Sequence, residues 1–316
     1  MKYAVGVDLG GTTVKMGIFT EDGQVVTKWE IRTRKGEGGI HILPDIAASV
    51  QETLVKNKIA KEQVTGIGMG VPGAIQPDGS VHSCVNLGWG RVMVKQEMER
   101  MTGLPVHPAN DANIAALGEM WQGGGKGCRN AVMVTLGTGV GGGIIVDGNI
   151  IVGTSGFGGE IGHMKMNFKE KEICGCGKTG CLEQYASATG VARMARRMLA
   201  DYEGASVLKN TDRVTAKDVF DAAKAEDKLG IQIVEEVCRI LALSLSYVAC
   251  VCDPEAFILG GGVSKAGRIL TDTVQKYYLE YVFGDLKKTN FVLATLGNDA
   301  GIYGGARLAL GQEQIV

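Results

Sequence analysis

The sequence predicts an α/β fold built from two similar halves. Apolar, β-branched stretches alternate with longer segments of helical periodicity along the chain, a pattern typical of layered α/β domains. The stretch VGVDLGG at 5–11 also recurs without a gap as VMVTLGT at 132–138, so each half places a glycine turn after an apolar strand. A chain of 316 residues with 45% hydrophobic content is long enough to bury two such cores.

The first half begins with a meander of three strands, KYAVGVD, VKMGIFT and VVTKWEIRT, separated by turns rich in glycine and aspartate. The predicted elements that follow are a helix over 43–58, the strand GIGMGVPG, a helix over 95–102, the strand PVHPAND and a helix from Ala112. This alternation predicts that the first half is one α/β unit.

The second half restarts the same pattern with GCRNAVMVTLGTGVGGGIIVDGNIIV and continues through a cysteine-rich segment. The predicted elements after it are helices over 187–200, 215–226 and 229–252, the strand AFILGGGV, a helix over 265–281, the strand FVLATLG and a helix over 302–310. The apolar run ILALSLSYVACVC is too short to span a bilayer and predicts a buried helix.

Charge and composition argue against a nucleic-acid or membrane partner. The net charge is −1, with 33 basic and 34 acidic residues and no long run of either sign, and only 6% of residues are aromatic. The chain starts directly with a strand-like stretch and has no leader-like pattern, which predicts a cytoplasmic protein. Its eight cysteines are therefore expected to be thiols rather than disulfides.

Two glycine patterns look like nucleotide motifs but lack the right context. CGKTG contains the end of a P-loop, but Glu172 stands where its first glycine is required. Gly137, Gly139 and Gly142 match a dinucleotide fingerprint, but a strand-like segment follows them instead of a helix. Neither a P-loop nor a Rossmann site is predicted.

Turns between two strands, in DLGGTTVK and LGTGVGGG, are better candidates for phosphate binding. Without β-carbons, their backbone N–H groups can approach phosphate oxygens closely. A third turn, LGGGVS, lies between a strand and a helix and could shape a pocket for a base or ribose, and Asp8 could hold Mg²⁺ through water. The predicted nucleotide-binding residues are Asp8, Gly10, Gly11, Thr12, Thr13, Lys15, Gly137, Thr138, Gly139, Gly261 and Gly262.

One imidazole and three thiols occur together in the second half. His163 precedes Cys174, Cys176 and Cys181, and this combination is typical of a closed, structural Zn²⁺ site. A cysteine-rich loop without a metal is the alternative interpretation of the same residues.

Seven motifs occur along the chain in the same order as in one known protein family, and they cover nearly the whole chain. They are DLGGTTVK, GVPG, ANDANIAALGE, LGTGVGGG, GGEIGH, CGCGKTGCLE and LGGGVS. With them the chain resembles the ROK family (repressor, open reading frame, kinase) of sugar kinases, close to its glucokinases. The resemblance implies a two-lobed, actin-like ATPase fold of the hexokinase and ribonuclease H type, with the active site in the cleft between the lobes.

The resemblance also implies the extent of the domains. An N-terminal lobe over 1–118 would be joined by the C-terminal helix within 300–316, and the second lobe would cover 119–299. By the same resemblance, the protein is expected to form a homodimer or homotetramer.

The resemblance implies roles for the remaining site residues. Asp111 falls on the catalytic base, although a position between strand and helix is equally typical of a helix N-cap. The implied sugar contacts are Gly73, Asn110, Asp111, Glu160, His163 and Glu183. Ala109 stands where the family often has glutamate, so a carboxylate that would support the neighbouring site residues is absent at this position.

These observations together predict an ATP- and Mg²⁺-dependent kinase that phosphorylates the 6-hydroxyl of an aldohexose, D-glucose before others. A kinase of N-acetylmannosamine or another N-acetylhexosamine is the nearest alternative, because the same motifs serve those sugars. A sugar-sensing ROK regulator would need a DNA-binding module, and only seven residues precede Asp8. An actin-like assembly or chaperone ATPase would leave GGEIGH and the cysteines unexplained.

Overall fold

The structure, a computed structural model, describes residues 1–82 and 84–311. Two compact units divide the chain. The first contains residues 1–129, 143–159 and the chain from Thr295 onward, and the second contains 130–142 and 160–294. None of the described helices is both long and apolar enough to cross a membrane.

Strands and helices alternate as the sequence predicted. The strands are β1 (Tyr3–Leu9), β2 (Thr13–Thr20), β3 (Val25–Arg32), β4 (Val64–Val71), β5 (Val106–Asn110), β6 (Ala131–Leu136), β7 (Val140–Val146), β8 (Asn149–Ile150), β9 (Ala256–Gly260) and β10 (Asn290–Leu293). The helices are α1 (Ile42–Lys56), α2 (Val94–Thr102), α3 (Asp111–Gln122), α4 (Glu183–Ala186), α5 (Ala188–Asp201), α6 (Ala216–Lys224), α7 (Lys228–Cys252), α8 (Arg268–Tyr281) and α9 (Ala300–Leu310).

The two five-stranded sheets have the same topology. The first has the order β3-β2-β1-β4-β5 and the second the order β8-β7-β6-β9-β10, which repeats the first with every strand number raised by five. In both sheets the outermost pair of the meander is antiparallel and the last two pairings are parallel. This shared order is the structural form of the repeat seen in the sequence, and it confirms the predicted fold class.

The last helix lies at the centre of the first unit. A Cβ atom at Gly6 of β1 would overlap the carbonyl of Ile302, and one at Gly304 of α9 would overlap the carbonyl of Ile114 in α3. Glycine at these positions therefore lets α9 lie directly against the sheet and against α3. On the other side of the sheet, α1 and α2 cover a continuous apolar core.

The first unit takes in more of the chain than the lobe predicted over 1–118. Residues 119–129 and 143–159 belong to it, because α3 continues to Gln122 and because Gly143 lies so close to α3 that a Cβ atom would be 2.6 Å from the Cβ of Ala116. Sequence periodicity does not show which unit a strand packs against, so the compact units differ in their bounds from the predicted lobes over 1–118 and 119–299.

The second unit is organised around α7, a helix of 25 residues with one continuous buried face. β9 is buried along its whole length, and Phe257, Tyr278 and Phe291 form an aromatic cluster with ring centroids 5.0–5.7 Å apart. The helix predicted over 265–281 begins only at Arg268. Gly267 has a φ of +79°, which ends the preceding 3₁₀ turn of Val263–Ala266 before α8 starts.

Candidate active site

Asn110 and Asp111 lie where β5 passes into α3, and Asn110 is the residue that caps the helix. Its side-chain oxygen accepts hydrogen bonds from the N–H groups of Ala112 (2.9 Å) and Asn113 (3.3 Å). Its amide nitrogen donates to the carbonyl of Gly73 at 3.1 Å. The capping role considered for Asp111 therefore belongs to its neighbour, and Asp111 is the first residue of the helix.

Asp8 and Asp111 form an electrostatically coupled carboxylate pair in the first unit. Burial, and then the negative charge of Asp111, raise the pKa of Asp8 to about 6, and Lys15 opposes this increase. Burial also raises the pKa of Asp111, and the N–H of Ala112, 2.8 Å from its carboxylate, partly offsets it. Two like charges in a poorly solvated place are stabilised by a cation, so the pair fits the Mg²⁺ role expected for Asp8.

Lys15 is the basic residue nearest to this pair. It lies opposite Asp8 in the β1–β2 ladder, and its Nζ donates to the carbonyl of Asn298 at 3.1 Å. The ladder therefore places a positive charge beside the first of the two carboxylates.

The turn between β1 and β2 has the tight geometry expected of a phosphate-binding turn. The N–H of Gly10 donates to the carbonyl of Thr13 at 3.0 Å, and a Cβ at Gly10 would lie 2.8 Å from that same oxygen. Thr33 ties the turn to β3, since its hydroxyl donates to the carbonyl of Gly10 at 2.7 Å and its N–H to that of Thr12 at 2.9 Å. The turn is thus fixed before any ligand binds.

The corresponding turn of the second unit is held by the start of α5. The N–H of Gly137 donates to the carbonyl of Gly139 at 3.0 Å. The carbonyl of Gly137 accepts from the N–H of Ala188 at 2.8 Å, and that of Thr138 accepts from the hydroxyl of Thr189 at 2.8 Å.

Gly261 lies directly against this turn. Its φ is +85°, and a Cβ there would be 2.5 Å from the carbonyl of Leu136. Two predicted nucleotide-binding turns, around Gly137 and Gly261, are therefore neighbours. Beside Gly262 a pocket of about 360 Å³ opens, lined by Phe220 and Val263 among others, and its size and apolar wall suit a nucleotide base.

The predicted zinc ligands are brought together in the second unit. Their four ligand atoms all lie within 4.8 Å of one another. The Nδ1 of His163 is 3.8 Å from the sulfur of Cys174, and the sulfurs of Cys176 and Cys181 are 3.6 Å apart. Tetrahedral coordination at a Zn–S distance of about 2.3 Å places sulfurs about 3.8 Å apart, so the residues fit a Zn²⁺ ion.

The environment of the thiols agrees with this fit. Burial, and then the neighbouring thiols, raise the pKa of Cys181 to about 12, and burial raises the pKa of Cys174. Such groups become thiolates only when a cation compensates their charge.

Glu183 connects the cysteine cluster to the glycine turn. One of its oxygens lies 3.5 Å from the sulfur of Cys174, and the other accepts the N–H of Val140 at 3.1 Å. Glu160 and His163 share one short 3₁₀ turn, in which the carbonyl of Glu160 accepts the N–H of His163 at 3.1 Å. The three predicted sugar contacts of this unit are thus tied to the predicted metal site by short connections.

Sequence reasoning missed the ion pairs that brace the cysteine segment. Arg197 donates to Glu170 at 2.9 Å and to Glu172 at 2.7 Å, and Arg193 donates to Glu172 at 2.8 Å. Arg197 holds the pKa of Glu170 well below its usual range. The sequence does show two arginines at i and i+4 on a predicted helix and two glutamates in EKEIC. Spacing alone cannot predict that side chains more than 20 residues apart form ion pairs.

Asn113 was also missed. Its side chain is 2% exposed, and its Oδ1 has no hydrogen-bond partner among the described residues. It lines a pocket of about 310 Å³ together with Asn110 and Gly156. A buried acceptor left open in a pocket is a candidate ligand contact, and its position three residues after Asn110 was the available signal.

Comparison with known proteins identifies the family. Residues 4–312 match the ROK family model. The chain belongs to the ROK family. It is 44% identical over 317 aligned residues to a glucokinase from Halalkalibacterium halodurans, with 99% of this chain and 96% of that protein covered. A glucokinase from Thermotoga maritima is 35% identical, with 96% of each chain covered.

A solved structure supports the same assignment. The crystal structure of a ROK family glucokinase from Streptomyces griseus in complex with glucose and AMPPNP superposes with a TM-score of 0.72 at 32% identity, covering 97% of this chain and 98% of that one. The predicted family and fold class are confirmed by these matches.

Proposed function

We propose that the protein transfers the γ-phosphoryl group of ATP to the 6-hydroxyl of D-glucose. The full-length similarity to glucokinases at 35–44% identity supports the sequence-based prediction of an ATP-dependent hexose kinase. The observation that carries the chemistry is the carboxylate of Asp111, which is placed at the head of α3 by the Asn110 cap and whose pKa burial raises.

Asp111 acts as the general base in this proposal. Phosphoryl transfer needs an aligned hydroxyl and a group that accepts its proton, while the rest of catalysis is positioning and charge stabilisation. A carboxylate with a raised pKa is a better proton acceptor near neutral pH than an ordinary one. Asp111 therefore takes the proton of the 6-hydroxyl as the oxygen attacks phosphorus.

Sugar hydroxyls are held by amide, carboxylate and imidazole groups. In the first unit these are Asn110, oriented by the carbonyl of Gly73, and Asn113 with its open Oδ1. In the second unit they are Glu160, His163 and Glu183. Sites that hydrogen-bond a hydroxyl on both its proton and its oxygen reject sugars that lack it.

Nucleotide phosphates are bound by the two glycine turns, residues 10–13 and 137–139, with Lys15 beside the first. The N–H groups of Gly10 and Gly137 close the turns themselves, so the other N–H groups of the turns face the phosphates. Gly261 and Gly262 border the pocket for the base. Mg²⁺, when bound, neutralises phosphate charge, and Asp8 holds it in place.

Zn²⁺, when bound by His163, Cys174, Cys176 and Cys181, supplies rigidity rather than Lewis-acid chemistry, because four protein ligands leave no open position. Since Nδ1 of His163 faces the cysteines, its Nε2 remains for a sugar hydroxyl. The ligands thus fix the imidazole and, through Cys181, the start of the short helix that carries Glu183 two residues later.

The decisive experiment is a coupled ADP-release assay with Asp111→Asn and, as a matched control, Asp212→Asn at an exposed loop position. We expect kcat with glucose to fall by about a thousandfold in Asp111→Asn and to stay unchanged in Asp212→Asn. The melting temperature of Asp111→Asn should equal or exceed that of wild type, because burial disfavours the charged carboxylate. Retention of more than a tenth of wild-type kcat in Asp111→Asn would refute the assigned role.

The sugar itself is tested by a panel of glucose, mannose, N-acetylmannosamine and N-acetylglucosamine. The pocket of about 310 Å³ beside Asn110 has room for an N-acetyl group, so an N-acetylhexosamine kinase is the alternative. If kcat/KM for either N-acetyl sugar is above that for glucose, the protein is an N-acetylhexosamine kinase and not a glucokinase. The cytoplasmic location and the homodimer or homotetramer stay predictions.

A further inference from the structure

A second polar cavity lies in the first unit, on the part of β5 that precedes Asn110. It has a volume of about 330 Å³ and is lined by β5, β8 and the C-terminal end of α9, with Val106, Ile150 and Leu308 among its apolar walls. None of the predicted catalytic, sugar-binding, nucleotide-binding or zinc residues lines it.

Arg307 is buried in the wall of this cavity without a counter-charge. The residue is 4% exposed, and no carboxylate of the described residues lies within ion-pair distance of it. Within the described chain its Nη1 donates to the carbonyl of Gly311 at 3.0 Å. A guanidinium offers five N–H donors, and a buried charge is normally paired, so Arg307 favours an anion as its partner.

Two further nitrogen-bearing side chains line the same cavity. Lys95 extends from α2 and His107 from β5, and among the described residues Lys95 makes no ion pair. Glu99, the acidic residue that acts on His107, is not in the lining, and its carboxylate accepts the N–H of Val106 at 3.2 Å. The cavity therefore carries net positive charge with no carboxylate in its lining.

Asn149 adds an acceptor to this basic cavity. Its Nδ2 donates to the carbonyl of Asp147 at 3.1 Å, which leaves Oδ1 buried and without a partner among the described residues. An anion without a proton, such as sulfate, satisfies the cations but not this oxygen, whereas a ligand that also carries a hydroxyl satisfies both.

The cavity adjoins the pocket beside Asn110, since Pro108 and Ala109 line both, but its three basic residues, Lys95, His107 and Arg307, line only the cavity. His107 precedes Asp111 by four residues along an extended strand, which corresponds to about 13 Å at 3.3 Å per residue. An anion held by Lys95 and Arg307 is therefore a separate ligand from the transferring phosphate.

We propose that this cavity is a binding site for a small phosphomonoester with a hydroxylated carbon skeleton, whose phosphoryl group is held by Arg307 and Lys95 and whose hydroxyl donates to Asn149. Guanidinium and ammonium groups together are the usual protein partners of phosphoryl oxygens. The apolar walls accommodate the carbon atoms, and the volume fits a molecule no larger than a hexose phosphate.

The test is equilibrium dialysis of the full chain against labelled glycerol 3-phosphate, with glucose and AMPPNP in excess so that the kinase site is filled. We expect one bound equivalent per chain. Lys95→Met, at an exposed position, should weaken binding about ten- to hundredfold, the usual effect of losing one charged hydrogen bond. Arg307→Met should abolish it, and Lys287→Met, an exposed control, should leave it unchanged.

Arg307→Met removes an unpaired buried charge and keeps the length of the side chain, so its melting temperature without ligand should equal or exceed that of wild type. If this variant does not fold, Lys95→Met alone decides. Affinity for sulfate, which has no hydroxyl to donate, should be lower than for glycerol 3-phosphate, and Asn149→Leu should reduce that difference.

Three outcomes overturn the proposal. The first is that wild type binds no glycerol 3-phosphate above background, and the second is that Lys95→Met binds it as tightly as wild type. The third is that glycerol 3-phosphate binds to Glu313→Gln but not to wild type. The last would show that a carboxylate of the chain's own sequence, and not a metabolite, compensates Arg307. Failure of glucose phosphorylation in the wild type, by contrast, would refute the kinase assignment and leave this site standing.

Discussion

Replacing Glu119 with glutamine should destabilise the first unit strongly. This glutamate lies near the end of α3 and is 0% exposed. One of its oxygens accepts the N–H groups of Gly124 and Thr295, both at 2.9 Å, and the other accepts that of Leu296 at 2.8 Å. It therefore ties the segment after α3 to the segment that leads into α9.

The magnitude follows from the three hydrogen bonds. Both oxygens of Glu119 accept N–H groups, so the NH₂ of Glu119→Gln faces at least one N–H donor in either orientation. At least one hydrogen bond is then lost and a buried donor remains unpaired, which costs about 1–3 kcal/mol of stability. The other bonds change from charged to neutral, at about 1 kcal/mol each. We expect a total loss of about 3–5 kcal/mol in the free energy of unfolding.

The assay is urea unfolding followed by circular dichroism, with Glu52→Gln, at an exposed position on α1, as the matched control. The control should change the unfolding free energy by less than about 0.5 kcal/mol. A loss below about 1 kcal/mol in Glu119→Gln would contradict the reasoning, because it would mean that the carboxylate does not hold the two segments together.

Three further predictions concern Asp8, the cysteine cluster and α9. The pKa of Asp8 is raised from 3.8 to about 6, so ionised Asp8 destabilises the metal-free fold, fully above that pH. The free energy of unfolding of Asp8→Asn should therefore exceed that of wild type by up to about 3 kcal/mol at pH 7.5, and this advantage should be lost at pH 3.5. The same variant should be inactive in the coupled assay. Wild-type kcat/KM should fall as the pH drops through about 6, and a flat profile from pH 7.5 to 5 would exclude ionised Asp8 from the reaction. Cys181→Ser should lower the zinc content found by metal analysis from one per chain and raise the KM for glucose more than tenfold, whereas Cys250→Ser, at an exposed position, should change neither. Gly304→Ala should cost more than about 3 kcal/mol because its Cβ overlaps the carbonyl of Ile114. Gly90→Ala, with nothing within 4 Å and no positive φ, should cost much less.

The sequence predicted the larger architecture because repeats and periodicity are local signals. The gap-free match around Leu9 and Leu136 corresponds to two sheets of one topology, and the helix predicted over 43–58 is Ile42–Lys56. The start of α8 was predicted three residues early, since the positive φ of Gly267 is a conformational fact that its sequence context does not reveal.

Site residues were predictable as types but not as partners. The cysteines and His163 were recognisable by spacing, and their ligand atoms do meet. The sequence suggested Asp111 as a possible cap of α3, whereas Asn110 is the cap, because residue type alone does not show which of two adjacent polar residues precedes the helix. The pairing of Arg197 with Glu170 joins positions 27 residues apart, and the lone charge of Arg307 becomes visible only when the surrounding groups are known.

The central place of α9 has a consequence for biosynthesis. The sheet of the first unit is fully synthesised once Asn110 has left the ribosome, but the helix that lies against it starts at Ala300. At roughly 5–20 residues per second, the intervening 190 residues take about 10–40 s to translate. During that time one apolar face of the nascent sheet is uncovered, and we expect holdase chaperones to bind there until the C-terminus emerges.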